Sequence, residues 1–236
     1  MFSYDGKTTR VIGKKNISIY RDLYEYLTAA IDSESLPSEF NYLGDSELAK
    51  NIYRKKYYLK DLNNKLIETR PEDVFKRVAA FMAVNEGTRG KQRKWADQFY
   101  TELFEGRFVP GGRVLAGSGD LFRLKTLANC FVAKIQEDDI DSIYKAAYEC
   151  ARTYSYGGGI GVDISCLRPR DAIVHNAADT SSGAVSFMEL YSLTTGLIGQ
   201  SGRRGALMLT IDIKHPDIHH FIRVKKIPNW VTSQVV

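Results

Sequence analysis

The chain has 236 residues, of which 44% are hydrophobic and 26% are charged, a composition that indicates one large globular domain, or a small helical domain followed by part of a larger one. No apolar run is long enough to cross a membrane, and charged residues interrupt the N-terminal segment, so we expect a cytoplasmic protein without a signal peptide or a transmembrane helix. The net charge of +5 suits anionic partners such as nucleotides. However, basic and acidic residues alternate along the chain, which favours an ordinary solvated surface. We therefore expect no direct binding of nucleic acid.

Helical patterns occupy the N-terminal part of the chain. Apolar residues recur at helical spacing in the first two predicted helices. Thr69 and Pro71 supply a cap and a first turn for the third helix, and Gly106 ends the fourth. The four predicted helices cover residues 19–31, residues 45–58, the segment from residue 71 onward, and residues 92–104.

The pattern changes at Phe108, where glycine becomes frequent and short apolar runs alternate with helical stretches. This alternation predicts an α/β structure with short buried strands. The predicted strands cover residues 130–135, 160–164, 172–174 and 207–213, and the predicted helices between them cover residues 140–154 and 185–198.

Three cysteines are present, at positions 130, 150 and 166. An odd number without a secretion signal argues against a disulfide framework. The spacing of the cysteines and the scarcity of histidines do not fit a zinc site, so no metal centre is predicted. Cys130 begins a predicted strand, and its chemistry alone favours a buried core cysteine over a redox-active one.

Three loops combine features that suit an anionic ligand. The glycines at residues 157–161 form either a tight turn or a backbone that approaches a ligand. Because they follow a helix and precede a strand, they do not fit a dinucleotide-binding fingerprint. Arg168 and Arg170 flank a proline and suit a phosphate, although a solvated loop is favoured. Residues 199–206 form either a mobile nucleotide-binding loop or an exposed basic turn.

These segments, in this order, resemble the large subunit of ribonucleotide reductases and look most like its adenosylcobalamin-dependent (class II) branch. The resemblance covers about residues 46–236, and residues 1–45 match nothing recognisable. The motifs that carry the resemblance are Val109–Gly117, Asn129–Val132, Gly157–Leu167, Ser181–Met188, Gly202–Ala206 and His215–Ile218.

The resemblance implies an α/β fold in which an N-terminal helical domain precedes the first part of a ten-stranded α/β barrel. We therefore divide the chain into an unassigned extension (residues 1–45), a helical domain (46–107) and an incomplete barrel (108–236).

The implied activity is the reduction of ribonucleotides to deoxyribonucleotides by thiyl-radical chemistry. Cys130 matches one member of the cysteine pair that reduces the 2′ carbon of the ribose and becomes a disulfide. The partner cysteine and the radical cysteine would lie beyond Val236, so we expect the chain to be inactive without a missing C-terminal half. The implied cofactor is adenosylcobalamin, and the implied reductant is a protein of the thioredoxin or glutaredoxin type.

Further roles carry over by position from the resemblance. In the family that the chain resembles, an effector nucleotide, a deoxynucleoside triphosphate or ATP, regulates the choice of substrate through a mobile loop. The resemblance also implies a homodimer that forms through the helices of the effector site. The implied substrate-binding residues are Ala128, Asn129, Gly158 and Gly159, and the implied effector-binding residues are Asp138, Asp141, Ser142, Ile143, Arg168, Gln200, Arg203 and Arg204.

Two alternatives stay open at this point. One is a non-catalytic nucleotide-binding module that keeps the effector loops. The other is a class I subunit, which needs a separate radical-generating protein. Gly112 stands where many class I enzymes carry a threonine, and the adenosylcobalamin-dependent branch also uses glycine there.

Overall fold

A computed structural model describes residues 12–38, 41–198 and 205–224. The described residues belong to two compact units that divide between Leu127 and Ala128. The first unit is helical, and the second combines helices with a parallel sheet, which confirms the predicted order of a helical domain followed by α/β structure. No helix in the described ranges is long and apolar enough to cross a membrane. The predicted domain limits after residues 45 and 107 stay predictions.

The first helix, α1, spans Lys14–Asp32 and extends the predicted segment at both ends. Its buried residues Ile17, Tyr20, Leu23 and Leu27 recur at spacings of three and four. This spacing places them on one face of the helix. That face packs into the hydrophobic core of the first unit.

The segment predicted as one helix over residues 45–58 is divided in two. Helix α2 spans Glu47–Ile52, and the Ser46 side chain caps it by accepting a hydrogen bond from the Ala49 amide at 3.2 Å. A π-helical turn, Tyr53–Tyr57, continues the chain. The helical prediction was therefore right in place but missed the change of helix type.

Helix α3 spans Pro71–Ala83, with the proline at its first position as predicted. The prediction of Thr69 as its cap is wrong, because Arg70 occupies the N-cap position. The amide of Arg70 donates to the Asp73 carboxylate at 3.3 Å. This carboxylate satisfies an amide that has no partner within the helix and places negative charge at the positive end of the helix dipole.

Helix α4 spans Arg89–Phe104 and starts earlier than the predicted Gln92. The cause is Thr88, whose side chain accepts from the Lys91 amide at 3.3 Å and caps the helix. Gly106 then ends α4 as predicted, with a left-handed φ of 69° that suits glycine.

The glycine-rich segment after α4 contains a further short helix. Helix α5 spans Gly112–Gly117, a helix that the sequence patterns did not predict. The Val114 amide donates to the Gly111 carbonyl at 2.9 Å and the Ser118 amide to the Val114 carbonyl at 3.0 Å, so consecutive turns close the segment into a helix.

A fully buried ion pair between Arg77 of α3 and Glu68 joins the parts of the first unit. Arg77 Nε donates to Glu68 Oε1 at 2.6 Å, and Nη2 donates to Oε2 at 3.1 Å. Arg77 also donates to three backbone carbonyls, those of Leu115, Tyr57 and Ser118. One side chain thus ties α3 to the π-helical turn and to α5.

The second unit contains a three-stranded parallel sheet in the order β1-β2-β3. Helices lie between consecutive strands along the chain, as the beginning of an α/β barrel requires. The elements are β1 (Cys130–Lys134), α6 (Ile140–Ser155), β2 (Gly159–Asp163), a 3₁₀ turn (Ala184–Phe187), α7 (Met188–Leu197), β3 (Leu207–Thr210) and α8 (Ile218–Arg223).

Helices α6 and α7 share a core with one face of this sheet. Ala133, Ile160, Val162, Leu207 and Leu209 are buried in the same cluster as residues of the two helices. Because side chains alternate across a strand, the residues between them lie on the opposite face.

The strand predicted over residues 172–174 is wrong. Within the described part of the chain, this segment forms an isolated bridge between Ile173 and Thr180. Asp171 and Asp179 adopt positive φ angles of 65° and 58° and turn the chain at both ends. The segment is therefore a loop that closes on itself and does not pair with the sheet.

Replacing Arg77 with leucine should destabilise the first unit by about 3–5 kcal/mol, because the Glu68 carboxylate is then buried without its partner. Denaturant titration followed by circular dichroism measures the change. The matched control is Arg89→Leu, since Arg89 pairs with Asp22 at the surface, where ion pairs contribute little. Equal losses of stability in the two variants would contradict the role given to Arg77.

Candidate functional site

The face of the sheet opposite α6 and α7 presents an exposed thiol. Cys130 and Val132 are exposed on this face of β1. In the parallel register, Cys130 lies beside Gly159 and Val132 beside Gly161. Gly159 is buried against Ala206, whereas a Cβ atom on Gly161 would meet only backbone atoms, at 3.9 Å. This face of the sheet is therefore open at Val132 and Gly161, two residues along the strands from Cys130 and Gly159.

The backbone predicted to meet the substrate lies around this thiol. The Gly159 amide donates to the Asn129 carbonyl at 2.8 Å, which joins two of the predicted residues at the start of neighbouring strands. A Cβ atom on Gly158 would come within 2.6 Å of Thr153 Cγ2. Glycine is therefore required for the tight turn from α6 into β2. It stays a prediction that this turn and Ala128 contact a ligand.

The three cysteines have different surroundings. Cys130 is exposed, so its interpretation as a core cysteine, which chemistry alone favoured, is wrong. Cys150 in α6 is fully buried, and burial raises the pKa of its thiol to about 12. Cys166 is exposed, although partial burial of its sulfur also raises its pKa.

Two predicted effector residues meet beyond the carboxyl ends of β1 and β2. Arg168 Nε donates to Asp138 Oδ2 at 2.6 Å, and Nη2 donates to the Asp138 carbonyl at 2.9 Å. Both side chains are about one-third exposed. The ion pair orients the guanidinium and leaves part of it accessible to an anionic ligand.

The start of α6 lies next to this ion pair in the chain. The Asp139 side chain accepts from the Ser142 amide at 2.6 Å and caps the helix. Asp141 is exposed, whereas Ile143 is buried and its carbonyl accepts from the Tyr191 hydroxyl at 3.2 Å. Ile143 therefore packs in the core, and Asp139 is a residue of this site that the sequence reasoning missed, although its position before a helical pattern is typical of a cap.

A buried histidine holds the loop that carries Arg168. His215 Nε2 donates to the Leu167 carbonyl at 2.7 Å, and its Nδ1 accepts from the Asp217 amide at 3.0 Å. A carbonyl can only accept and an amide can only donate, so these two contacts fix the neutral imidazole with its proton on Nε2. Both residues belong to the motif His215–Ile218, but the sequence alone did not predict a role for either of them.

The Asp217 carboxylate joins this loop to the start of α7. It accepts from the Arg170 amide at 3.2 Å and from the Ala184 amide at 3.1 Å. Gly183 lies against it with a φ of 90°, and a Cβ there would come within 2.7 Å of Asp217 Oδ2. The carboxylate thus fixes the loop after β2 through backbone amides, while the Arg168 side chain of the same loop pairs with Asp138.

Exposed apolar side chains form a stripe on α6 and α7, which we call the apolar stripe. Ile140, Tyr144 and Tyr148 are each more than half exposed and recur at a spacing of four, so they share one face of α6. Leu193 and Leu197 have the same spacing and exposure on α7. A contiguous exposed apolar surface of this kind is typical of an interface.

Three predicted residues, Gln200, Arg203 and Arg204, lie outside the described residues. In the ranges that the structure describes, no group of three or more His, Cys, Asp or Glu side chains is arranged to hold a metal ion.

Comparison with known families gives the same result in both units. Residues 43–122 match the family model of the ribonucleotide reductase all-alpha domain. Residues 128–230 match the family model of the ribonucleotide reductase barrel domain. The two matches follow each other in the order of the helical and α/β units.

Individual relatives point to the same family. A vitamin B12-dependent ribonucleoside-diphosphate reductase of Mycobacterium tuberculosis is 37% identical over 180 residues, which are 75% of this chain and 25% of that protein. The protein of the same name from Thermoplasma acidophilum is 40% identical over 53% of this chain and 16% of its own length. The ribonucleoside-diphosphate reductase subunit alpha of Helicobacter pylori is 31% identical over 86% of this chain and 24% of its own length. The chain therefore spans a quarter or less of the length of these relatives.

Alkylation of the native chain should separate the three cysteines. Cys130 and Cys166 are exposed and should react with iodoacetamide, while Cys150 should react at least about a hundredfold more slowly, since its thiol is buried and its pKa is raised to about 12. Mass spectrometry of digested samples measures each rate, and labelling in denaturant provides the control. Equal reactivity of Cys150 and Cys130 in the folded chain would contradict the structure.

Proposed function

Since the chain belongs to the ribonucleotide reductase large-subunit family, we propose that it forms the helical domain and the first barrel strands of a subunit that reduces ribonucleotides to deoxyribonucleotides. The observation that carries the proposal is the exposed Cys130 thiol beside the glycines of β2. A ribose held on this open face lies within reach of the thiol. The reaction also needs the rest of the subunit, because the redox partner of Cys130 and the radical cysteine are expected there.

In this proposal, Cys130 is one of two reducing thiols. A thiyl radical removes the 3′ hydrogen of the ribose, and the 2′ hydroxyl then leaves as water. The 2′ carbon gains a hydrogen in its place, while the two thiols together lose two electrons and two protons and form a disulfide. The cysteine that took the 3′ hydrogen then returns it to the 3′ carbon, which restores the thiyl radical. A thioredoxin- or glutaredoxin-type protein returns the disulfide to two thiols after each turnover.

Adenosylcobalamin is the proposed source of the radical. The relatives named vitamin B12-dependent have higher identities to this chain than the Helicobacter pylori subunit alpha, which favours a cobalamin-dependent enzyme over a class I subunit. The face of β2 at Gly161 fits the approach of a group to the sheet, because a Cβ atom there would meet only backbone atoms, at 3.9 Å. When bound, the cofactor supplies the initial radical, and the part of this chain is to present the Cys130 thiol and the backbone around it.

An effector nucleotide is proposed to bind where Arg168 meets Asp138. The guanidinium suits a phosphate because it presents charged donors in a fixed plane. The N-terminus of α6, with Asp141 and Ser142, lies close by along the chain and adds the positive end of a helix dipole. We also propose that a loop carrying Gln200, Arg203 and Arg204 links the identity of the bound effector to the choice of substrate.

Dimerisation through the apolar stripe is a further part of the proposal. The stripe lies on α6 and α7, and α6 also begins at the proposed effector site. Pairing of two copies of these helices buries the tyrosine and leucine side chains that are otherwise exposed to water. An effector bound at the end of α6 would then lie close to the interface between the subunits.

Cys130→Ser in the complete subunit should lower ribonucleotide reduction below detection, because a hydroxyl cannot take part in the disulfide. Cys166→Ser is the matched control, since Cys166 is also exposed but lies away from the open face, and it should keep its activity. Product formation is measured by chromatography of the nucleotides. Full activity of Cys130→Ser together with an inactive Cys166→Ser would overturn the assignment.

Arg168→Ala should weaken effector binding about ten- to a hundredfold, the usual loss for one charged phosphate contact. Arg170→Ala is the control, because Arg170 contributes its backbone amide to Asp217. Equilibrium dialysis with each deoxynucleoside triphosphate measures the affinity, and turnover without effector should survive in part. If Arg168→Ala instead loses all unstimulated turnover and binds effectors normally, the arginine belongs to the catalytic site.

Tyr144→Asp should weaken self-association at least about tenfold, because a charge in the apolar stripe must be desolvated on pairing. Ile213→Asp is the control, since Ile213 is also exposed but lies on neither α6 nor α7. Sedimentation velocity over a range of concentrations measures both variants. An unchanged monomer–dimer equilibrium in Tyr144→Asp would remove the stripe as the interface.

A further inference from the structure

A cleft of about 680 Å³ lies in the helical unit at the N-terminus of α3. Small-molecule sites commonly have volumes of about 300–1,000 Å³, so the cleft is large enough for a ligand. Neither the proposed reduction nor the proposed effector site uses any residue of this cleft. The residues that matter for its chemistry are Lys50, Arg54, Tyr58, Leu66, Arg70 and Glu72.

The rim of the cleft carries three cationic side chains. Arg54 is exposed and has no ion-pair partner among the residues that the structure describes. Lys50 and Arg70 pair with Glu47 and Asp73, but these pairs lie at the surface and the second is long, at 3.8 Å. Surface pairs of this kind are weak, so all three cations are available to an anion with several charges, such as a phosphate chain.

The wall of the cleft contains a buried carboxylate whose one donor among the described residues is its own backbone amide. Glu72 is 7% exposed, and in the described ranges no other residue donates a hydrogen bond or forms an ion pair to its side chain. Burial raises its pKa. A buried carboxyl group needs hydrogen-bond donors to offset the loss of water, and a ligand with N–H groups can supply them.

An aromatic ring stands close to this carboxylate. Tyr58 is half-buried in the same cleft. Burial first, and then the nearby charge of Glu72, raises the pKa of the Tyr58 hydroxyl. With Leu66, the ring gives the cleft an apolar wall, and flat aromatic bases stack on walls of this kind.

We propose that this cleft binds a nucleoside phosphate whose base carries an exocyclic amino group. Glu72 accepts hydrogen bonds from the base, Tyr58 lies against the face of the base, and Lys50, Arg54 and Arg70 bind the phosphates. Inorganic phosphate would satisfy the cations and leave Glu72 with its own backbone amide as its one donor. A polyamine would satisfy Glu72, but the three cations would repel it.

Calorimetric titration of the full chain with GTP tests the proposal. Arg54→Ala should weaken binding about ten- to a hundredfold through the loss of a charged phosphate contact. Lys56→Ala is the matched control, because Lys56 is exposed on the same π-helical turn but does not line the cleft, and it should bind GTP as the parent chain does.

Glu72→Gln tests the contact with the base separately. It should weaken GTP binding about tenfold and leave the affinity for inorganic phosphate unchanged. UTP, whose base has one ring N–H group and no exocyclic amino group, should bind the parent chain more weakly than GTP and should lose less affinity through Glu72→Gln than GTP does. Circular dichroism checks that each variant is folded. If Glu72→Gln does not fold, Arg54→Ala and the comparison of GTP with UTP decide the question.

Three results would overturn the proposal. One is that GTP does not bind. Another is that inorganic phosphate binds as tightly as GTP, which would make the cleft a simple anion site. The third is that Arg168→Ala abolishes GTP binding while Arg54→Ala leaves it unchanged, which would place the nucleotide in the second unit. If Arg168→Ala still binds GTP, the nucleotide site in the cleft is supported, and this result does not depend on whether the proposed reductase activity is found.

Discussion

The first unit depends on one buried guanidinium, that of Arg77. An arginine presents five N–H donors in a fixed plane, and burial makes every unmet donor costly. In this unit the donors are shared between the Glu68 carboxylate and the carbonyls of Tyr57, Leu115 and Ser118. These carbonyls belong to turns and short helices that no long hydrogen-bond ladder stabilises. These segments are therefore joined to α3 by one cation as well as by the apolar core, and movement of any one of them leaves buried charge or buried carbonyls without partners.

A carboxylate has the corresponding role in the second unit. Asp217 accepts the amides of Arg170 and Ala184, and His215 fixes the Leu167 carbonyl. The parallel sheet determines where its strands end, but it does not determine the path of the loops that follow, and in α/β proteins those loops carry the binding residues. A buried polar network thus fixes the backbone of the loop that carries Arg168, and the ion pair with Asp138 orients its guanidinium. In both units the apolar core positions the helices and strands, and buried polar side chains position the loops.

Much of the fold follows from local patterns in the sequence, whereas contacts between distant segments do not. Apolar spacing located α1, and Pro71 and Gly106 located helix ends, since each depends on neighbours within one or two turns. The strand expected over residues 172–174 was wrong because an apolar run does not reveal whether a partner strand is available. The sequence marked Arg168 as a candidate phosphate ligand, but its carboxylate partner lies on another loop that only tertiary packing brings near. For Cys130, the family resemblance named the thiol, and the strand register and exposure show that it lies on an open face.

We propose that this chain supplies one part of a cobalamin-dependent reductase active site and acts together with the rest of the subunit. The most direct test is the conversion of a radiolabelled ribonucleoside diphosphate by this chain alone, by the remainder of the subunit alone, and by the two together, with a dithiol and with or without adenosylcobalamin. We expect deoxyribonucleotide only when both parts and the cofactor are present. Product from this chain alone, or from the combined parts without the cofactor, would contradict it.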